Sequence, residues 1–473
     1  MHNNLIKPTE LLIKDKKKTV KGIVSQAALY ARSKIVAAKT PENETYYLVY
    51  YQNRLIFADQ LEQVETDTFI DRAFREGIVL NMPQPLFTAF VPNLTVSIPN
   101  RNKLFTELQA DFSAQEIAYI ATTLDSFFTK EHLKKLIEKI FFHYRRNGKF
   151  MKAFQILHIL AVFYPDDQSV IERLNSQEFY SYQKFYYSSS IADILKKDPL
   201  YVDLHCFKNR SDPAIRTMLK DLLTSKNSYV ELLLLWLEDT QKNEVDFYSQ
   251  MALQLVSMPE WMFILTKRGM NPFKLLPDTR RMIEKMLQNS DYEIAAGLLL
   301  PFINDLPENY DPILGKLWEN MDGEFAAAHL DQVVSILERK EDDGKREHTE
   351  ARIYQLAMTL LEKFHLETTY SKLLPLQKHS PHSRVLRKLA DMLELVEDPD
   401  HMMELGDLYV EFKQYDQAID CYFWEMELRP QDPEPVLKIC KCYQQKGMSG
   451  EAEVYQKIFQ QLKTNQADSS IAQ

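Results

Sequence analysis

At 473 residues the chain is long enough for about three domains or one extended repeat array, and 45% hydrophobic with 26% charged residues is the composition of a folded protein. Its 11 glycines include no G-x-G and no G-x-x-x-x-G-K-[ST] loop, which excludes the glycine-dependent phosphate cradles of Rossmann and P-loop enzymes. The net charge of −10 argues against a generic polyanion binder, and four cysteines are too few for a disulfide framework, so a reducing, cytoplasmic setting is expected.

Residues 1–40 hold nine Lys/Arg against two acids, including the run Lys14-Asp15-Lys16-Lys17-Lys18, with no apolar run of the kind a signal peptide needs. Val20–Ala38 is rich in alanine and is expected to be a helix. Tyr46–Tyr51 and Arg54–Ala58, flanking Gln52-Asn53, carry the β-branched and aromatic bias of a strand pair, which argues against a helix-turn-helix. Pro83, Pro85, Pro92 and Pro99 make Asn81–Asn100 extended. Residues 1–110 therefore form a separate region of mixed structure.

Helical periodicity begins near Asp111. Ser113-Ala114-Gln115-Glu116 has the form of a capping box and opens a helix through about Phe128. Lys130–Arg146 and Met151–Phe163 are the next two, stopped by Asn147-Gly148 and by Pro165. Breaks recur at Asp198-Pro199, Asp212-Pro213, Pro272, Asp311-Pro312, the Glu341–Lys345 charge run and Asp398-Pro399. Residues 111–395 read as a degenerate helical array, 396–463 as two better repeats, and 464–473 as a small, polar, disordered tail. The longest strongly apolar stretch, Leu232–Leu237, is far short of the roughly 20 residues that cross a bilayer.

Tyr409 and Tyr443 are 34 residues apart, as are Ala418 and Ala452, and Leu405 and Ile439. Leu405-Gly406, Tyr409, Ala418, Tyr422 and Pro430 form a pattern that resembles the tetratricopeptide repeat family. Met402 and Glu425 depart from that pattern. Ile140, Tyr144, Ala153, Leu157 and Pro165 fit it again upstream, and Leu314-Gly315, Trp318 and Ala327 fit more loosely. The resemblance implies a mainly α protein, an alpha-alpha superhelix of paired helices. It further implies a non-enzymatic scaffold or adaptor that binds a protein or peptide in its concave groove, without cofactor or metal. The alternative is a regulator that binds nucleic acid through its basic start and uses the helices as a sensor or dimerisation arm.

Two faces are candidate partner surfaces. Asp400, Met403, Glu404, Asp407, Val410 and Glu411 share one helical face, four of the six being carboxylates. The resemblance places such a face in the groove, where it should repel acidic peptides and take a basic or amphipathic segment, with Met403 and Val410 as apolar contacts. Residues 7–39 of the chain itself are one such segment. Lys135, Lys139, Phe142, Arg145 and Arg146 form a basic face, within a window of eight bases and two acids over Thr129–Lys152, suited to an acidic partner.

Other constellations read as structural. Cys440-Lys441-Cys442 puts its thiols on opposite sides of a helix. His379-Ser380-Pro381-His382 is a turn, His143 and His158 belong to core or groove, and His205-Cys206 has no orienting carboxylate in sequence. The rings of Phe179–Tyr187 have the spacing of a core more than of a base-stacking platform.

Overall fold

Alternation of buried and exposed positions begins at once. In the computed structural model, Val20, Gly22 and Val24 turn inward while Lys21 and Ile23 turn outward, the period of a strand. The structure describes residues 8–15, 18–239, 243–338, 346–378 and 380–471; Lys16, Lys17, His379 and the 341–345 charge run lie outside the described residues. Seven strands follow in order: β1 (Glu10–Asp15), β2 (Lys18–Tyr30), β3 (Ser33–Lys39), β4 (Thr45–Tyr51), β5 (Arg54–Gln60), β6 (Ile78–Asn81) and β7 (Thr95–Ser97). They form one sheet in the order β5-β4-β3-β2-β1-β7, with β6 paired to β2.

The expected helix over Val20–Ala38 is thus a β-hairpin. Its alanines, Ala27, Ala28, Ala37 and Ala38, are buried in the middle of the sheet, and six of the seven β3 residues are buried. Small side chains there reflect a layer covered on both faces, not helix propensity. Strand β2 is long enough for two partners along one edge: β1 pairs with Lys18–Ile23 and β6 with Gln26–Leu29. A bulge at Ser25 separates the two stretches. The Tyr46–Tyr51 and Arg54–Ala58 strands form as expected, with Gln52 left-handed at the turn. Asn81–Asn100 is not wholly extended, since it holds the short helix Phe87–Phe90 and β7.

Two compact units divide the chain at Leu276, inside the stretch expected to be one array. In the first, Asn4–Leu276, the sheet is continuous with the helices. One apolar cluster runs from Ala28, Ile35 and Val49 through Phe69 and Tyr119 to Leu133, Phe154, Phe179 and Leu200. Two buried cations cross the same boundary. Arg32, in the β2–β3 turn, meets Asp203 at 2.6 Å, and Lys34 meets Glu231 at 2.9 Å. The Lys34 ammonium also donates to Asn53 Oδ1 (2.8 Å) and to the Phe90 carbonyl (2.9 Å), so its hydrogens are fully used.

The helices obey the local signals. Ser113 and Glu116 form the capping box, but the helix ends at Thr122 rather than Phe128. Asp198 and Asp212 cap helices that start on Pro199 and Pro213. The second unit, Pro277–Gln473, is helical throughout its described residues apart from short connections. Its last helix, Ser449–Ile471, runs through most of the segment expected to be a disordered tail.

The repeat register appears as a shared turn. At Gly148, Lys413 and Gly447 the backbone is left-handed (φ 68, 57 and 74°). In each case the next amide donates to a tyrosine carbonyl: Lys149 to Tyr144, Gln414 to Tyr409, Met448 to Tyr443, all at 2.9 Å. A bond spanning three residues accompanies each, from Gly148 to Arg145, Lys413 to Val410 and Gly447 to Gln444, at 3.0–3.1 Å. Asn227, Gly269 and Ser290 close helices with the same pair of bonds. Between the paired helices, a Cβ on Gly406 would lie 2.4 Å from the Tyr422 ring, so Tyr422, and not Tyr409, fills the space beside the glycine.

Two outcomes follow. Replacing Lys34 by Met leaves Glu231 without its buried cation and should cost on the order of 3 kcal/mol in urea unfolding; adding Glu231→Gln should recover much of that loss, and a neutral single variant would contradict it. Lys413 is a side-chain-bearing residue in a glycine conformation, so Lys413→Gly should stabilise the second unit by about 0.5–1 kcal/mol. A lowered urea midpoint would refute that account of the turn.

Candidate functional site

Ser383 caps the helix Arg384–Val396, whose Leu386, Leu389 and Met392 are buried. The next long helix, Met402–Glu411, buries Leu405 and Gly406. Between them lies a groove of about 420 Å³ lined by Asp391, Glu394, Leu395, Glu404, Asp407 and Leu408. It has an apolar floor and four carboxylates. Of the sequence candidates, Glu404 and Asp407 are brought together here. Asp400 is exposed on the short turn Pro399–His401. Met403 and Val410 are half-buried against Ala418, Ile419 and Tyr422, so Leu395 and Leu408 supply the apolar surface that these two were expected to provide.

The acids are not equal. Asp407 takes two bonds from Lys438 at 2.8 Å and one from the Tyr422 hydroxyl at 2.7 Å. Glu411 is paired with Lys388. Among the described residues, no basic nitrogen lies within 4.0 Å of the Asp391, Glu394 or Glu404 carboxylates. The negative field of the groove therefore comes from these three. Asp391 and Glu394 belong to the preceding helix, which the sequence alone does not place beside Glu404.

The basic face is partly closed. Arg145 meets Glu178 at 3.0 Å, Arg146 donates to the Phe142 carbonyl, and the Phe142 ring lies under Arg173. Lys135 and Lys139 are exposed. At the start of the chain, Lys21 pairs with Glu10 while Arg32 and Lys34 are buried in ion pairs. Glu10–Asp15, Lys18–Tyr30 and Ser33–Lys39 are sheet strands, not the helical ligand that 7–39 was expected to offer.

A larger chamber, about 920 Å³, opens within the first unit. Tyr30, the helices Phe69–Glu76, Ala114–Thr122, Phe150–Phe163 and Pro199–Lys208, and Glu238 contribute to its walls. His158 stands between Tyr186, stacked at 14°, and the edge of Tyr201; His205 stacks on Tyr201 at 16°. Burial pushes His158 below the ordinary imidazole value, against the opposing pull of Asp198. Cys206 is buried beside the chamber, and burial lifts its thiol to about 11, so it is not a nucleophile at neutral pH. Cys440 donates to the Ala452 carbonyl while Cys442 packs against Ala418 and Tyr422, on opposite sides of their helix. Among the described residues, no three His, Cys, Asp or Glu side chains are arranged to hold a metal ion, and no helix is long and apolar enough to cross a membrane.

His158 sets a pH dependence. Its folded-state value is depressed, so the unfolded chain binds the proton more tightly; stability is complete above about pH 6.5 and falls as pH drops below it. The urea midpoint of the first unit should fall between about pH 7.5 and pH 5.5, and His158→Phe should reduce that fall. An identical fall in the variant would remove His158 from the account.

No family model matches the chain, and no curated protein matches it. Among solved structures, the crystal structure of MamA is 18% identical, over 39% of this chain and 96% of that one, with a TM-score of 0.17. The crystal structure of the APC/C hetero-tetramer Cut9-Hcn1 is 13% identical, over 77% of this chain and 83% of that one, with a TM-score of 0.16. Scores this low say nothing about what the chain binds.

Proposed function

We propose that the protein is a non-enzymatic interaction scaffold whose groove between Arg384–Val396 and Met402–Glu411 takes a basic, amphipathic helical segment of a partner. The observation that carries this reading is the groove's make-up: Leu395 and Leu408 at its floor, with Asp391, Glu394 and Glu404 lacking a cation within 4.0 Å among the described residues. Carboxylates left together attract a cationic partner, and the apolar floor gives its leucine-type side chains a place to bury. Lys438, fixed on Asp407, limits the negative surface at one side and so sets where the basic segment ends. The nucleic-acid alternative has less support, because Lys21, Arg32 and Lys34 of the basic start are already paired with carboxylates.

Fluorescence anisotropy with a labelled Leu/Lys amphipathic helix tests the reading. The intact chain should bind it, more weakly as salt rises, and Glu394→Lys with Glu404→Lys should weaken binding roughly tenfold or more. A Leu/Glu helix of the same length should not bind. Equal capture of both helices, or an unchanged affinity in the double variant, would overturn the proposal.

A further inference from the structure

The chamber of the first unit plays no part in that reading. Its lining holds four cations, Arg72, Lys208, Arg210 and Arg216, against two carboxylates, Glu76 and Glu238. The local balance is +2 in a chain of net −10. Both acids are already engaged. Glu238 accepts from Arg210 at 2.8 Å and lies 3.6 Å from Arg216, and Glu76 lies 3.1 Å from Arg75. Arg216 also meets Asp239 at 3.2 Å, so Glu238 and Asp239 together balance Arg210 and Arg216, and the positive excess rests on Arg72 and Lys208.

Arg72 is the more telling of the two. Its side chain is 28% exposed, but its Nε reaches neither solvent nor a hydrogen-bond acceptor. The Asp125 carboxylate is 4.0 Å from Nη2, beyond hydrogen bonding, and both of its oxygens accept from the Phe69 amide at 2.9 and 3.1 Å. A buried donor without an acceptor is costly until a ligand completes it, and on a guanidinium the fitting ligand is an anion. Lys208 is exposed at the same chamber and adds a second positive charge.

The wall also carries five aromatic residues, Tyr30, Phe69, Tyr119, Phe163 and Tyr201, with the rings of His158 and His205 among them and aliphatic Ile159, Val162 and Leu204 between. Rings in such numbers offer planes and edges to a flat ligand. The volume, about 920 Å³, is that of a small-molecule site and too large to be a packing defect.

We propose that this chamber binds a small planar organic anion, its acid group at Arg72 and Lys208 and its ring body among Tyr119, Phe163 and Tyr201. The site lies wholly within the first unit, so it stands or falls independently of the acidic groove in the second. It gives a protein otherwise read as a scaffold a place where a small ligand changes the stability of the sheet-bearing unit.

The probe is 8-anilinonaphthalene-1-sulfonate, with N-phenyl-1-naphthylamine as its twin lacking the sulfonate. Titrated into the intact chain, the anion should saturate one site and bind more tightly than the neutral dye. Arg72→Gln should weaken the anion roughly tenfold, the loss of one charge-assisted contact, and leave the neutral dye unchanged. Tyr201→Ala should weaken both. Lys208→Glu, at an exposed position whose change leaves the fold intact, should weaken the anion alone. Equal affinity for the two dyes, or anion binding unaltered in Lys208→Glu and in a folded Arg72→Gln, would overturn the proposal.

Discussion

Two cations on one hairpin hold the first unit in register. Apolar burial supplies most of the stabilisation, but it is non-directional and lets a helix slide on a sheet at little cost. Arg32 and Lys34 remove that freedom. Each is buried, each needs a specific acceptor, and the acceptors Asp203 and Glu231 sit on two different helices. Lys226 shares Asp203 at 2.5 Å, and Tyr51 joins Arg32 to Glu116. A slip of one turn in either helix would strand a buried charge, which costs more than any gain from altered packing.

The sequence is legible where a local interaction decides the structure. Asp-Pro starts, the Ser113 capping box and the glycine stop at Gly148 all depend on residues within one turn of each other. It is illegible where the same geometry uses an unusual residue. Lys413, Asn227 and Ser290 make the left-handed helix stop without glycine, at exposed positions closed by the same pair of backbone bonds. The alanine-rich hairpin fails for a related reason. Alanine at Ala27, Ala28, Ala37 and Ala38 answers to crowding from layers far away in sequence, and no local window contains those layers.

The candidate sites divide in the same way. The acidic stripe on Met402–Glu411 could be read from its own spacing, and Glu404 and Asp407 do line one groove. Its other wall, Asp391 and Glu394, comes from a neighbouring helix, and two residues of the stripe turn to the core instead. The chamber was beyond reach: its lining runs from Tyr30 to Glu238 across seven elements, and no pair of them forms a motif. His158 and His205 were visible as residues, but not the rings that meet them.

The pairing of Lys34 with Glu231 also orders events in time. Glu231 follows Lys34 by 197 residues. Synthesis at about 5–20 residues per second therefore separates the two by roughly 10–40 s. Strands β1 to β6 exist early in that interval, yet closing the sheet then would bury a lysine before its carboxylate is made. Until the helix Tyr229–Glu238 arrives, the Lys34 ammonium has only Asn53 and the Phe90 carbonyl as partners. A stop between the two residues yields a fragment in which Lys34 lacks its carboxylate.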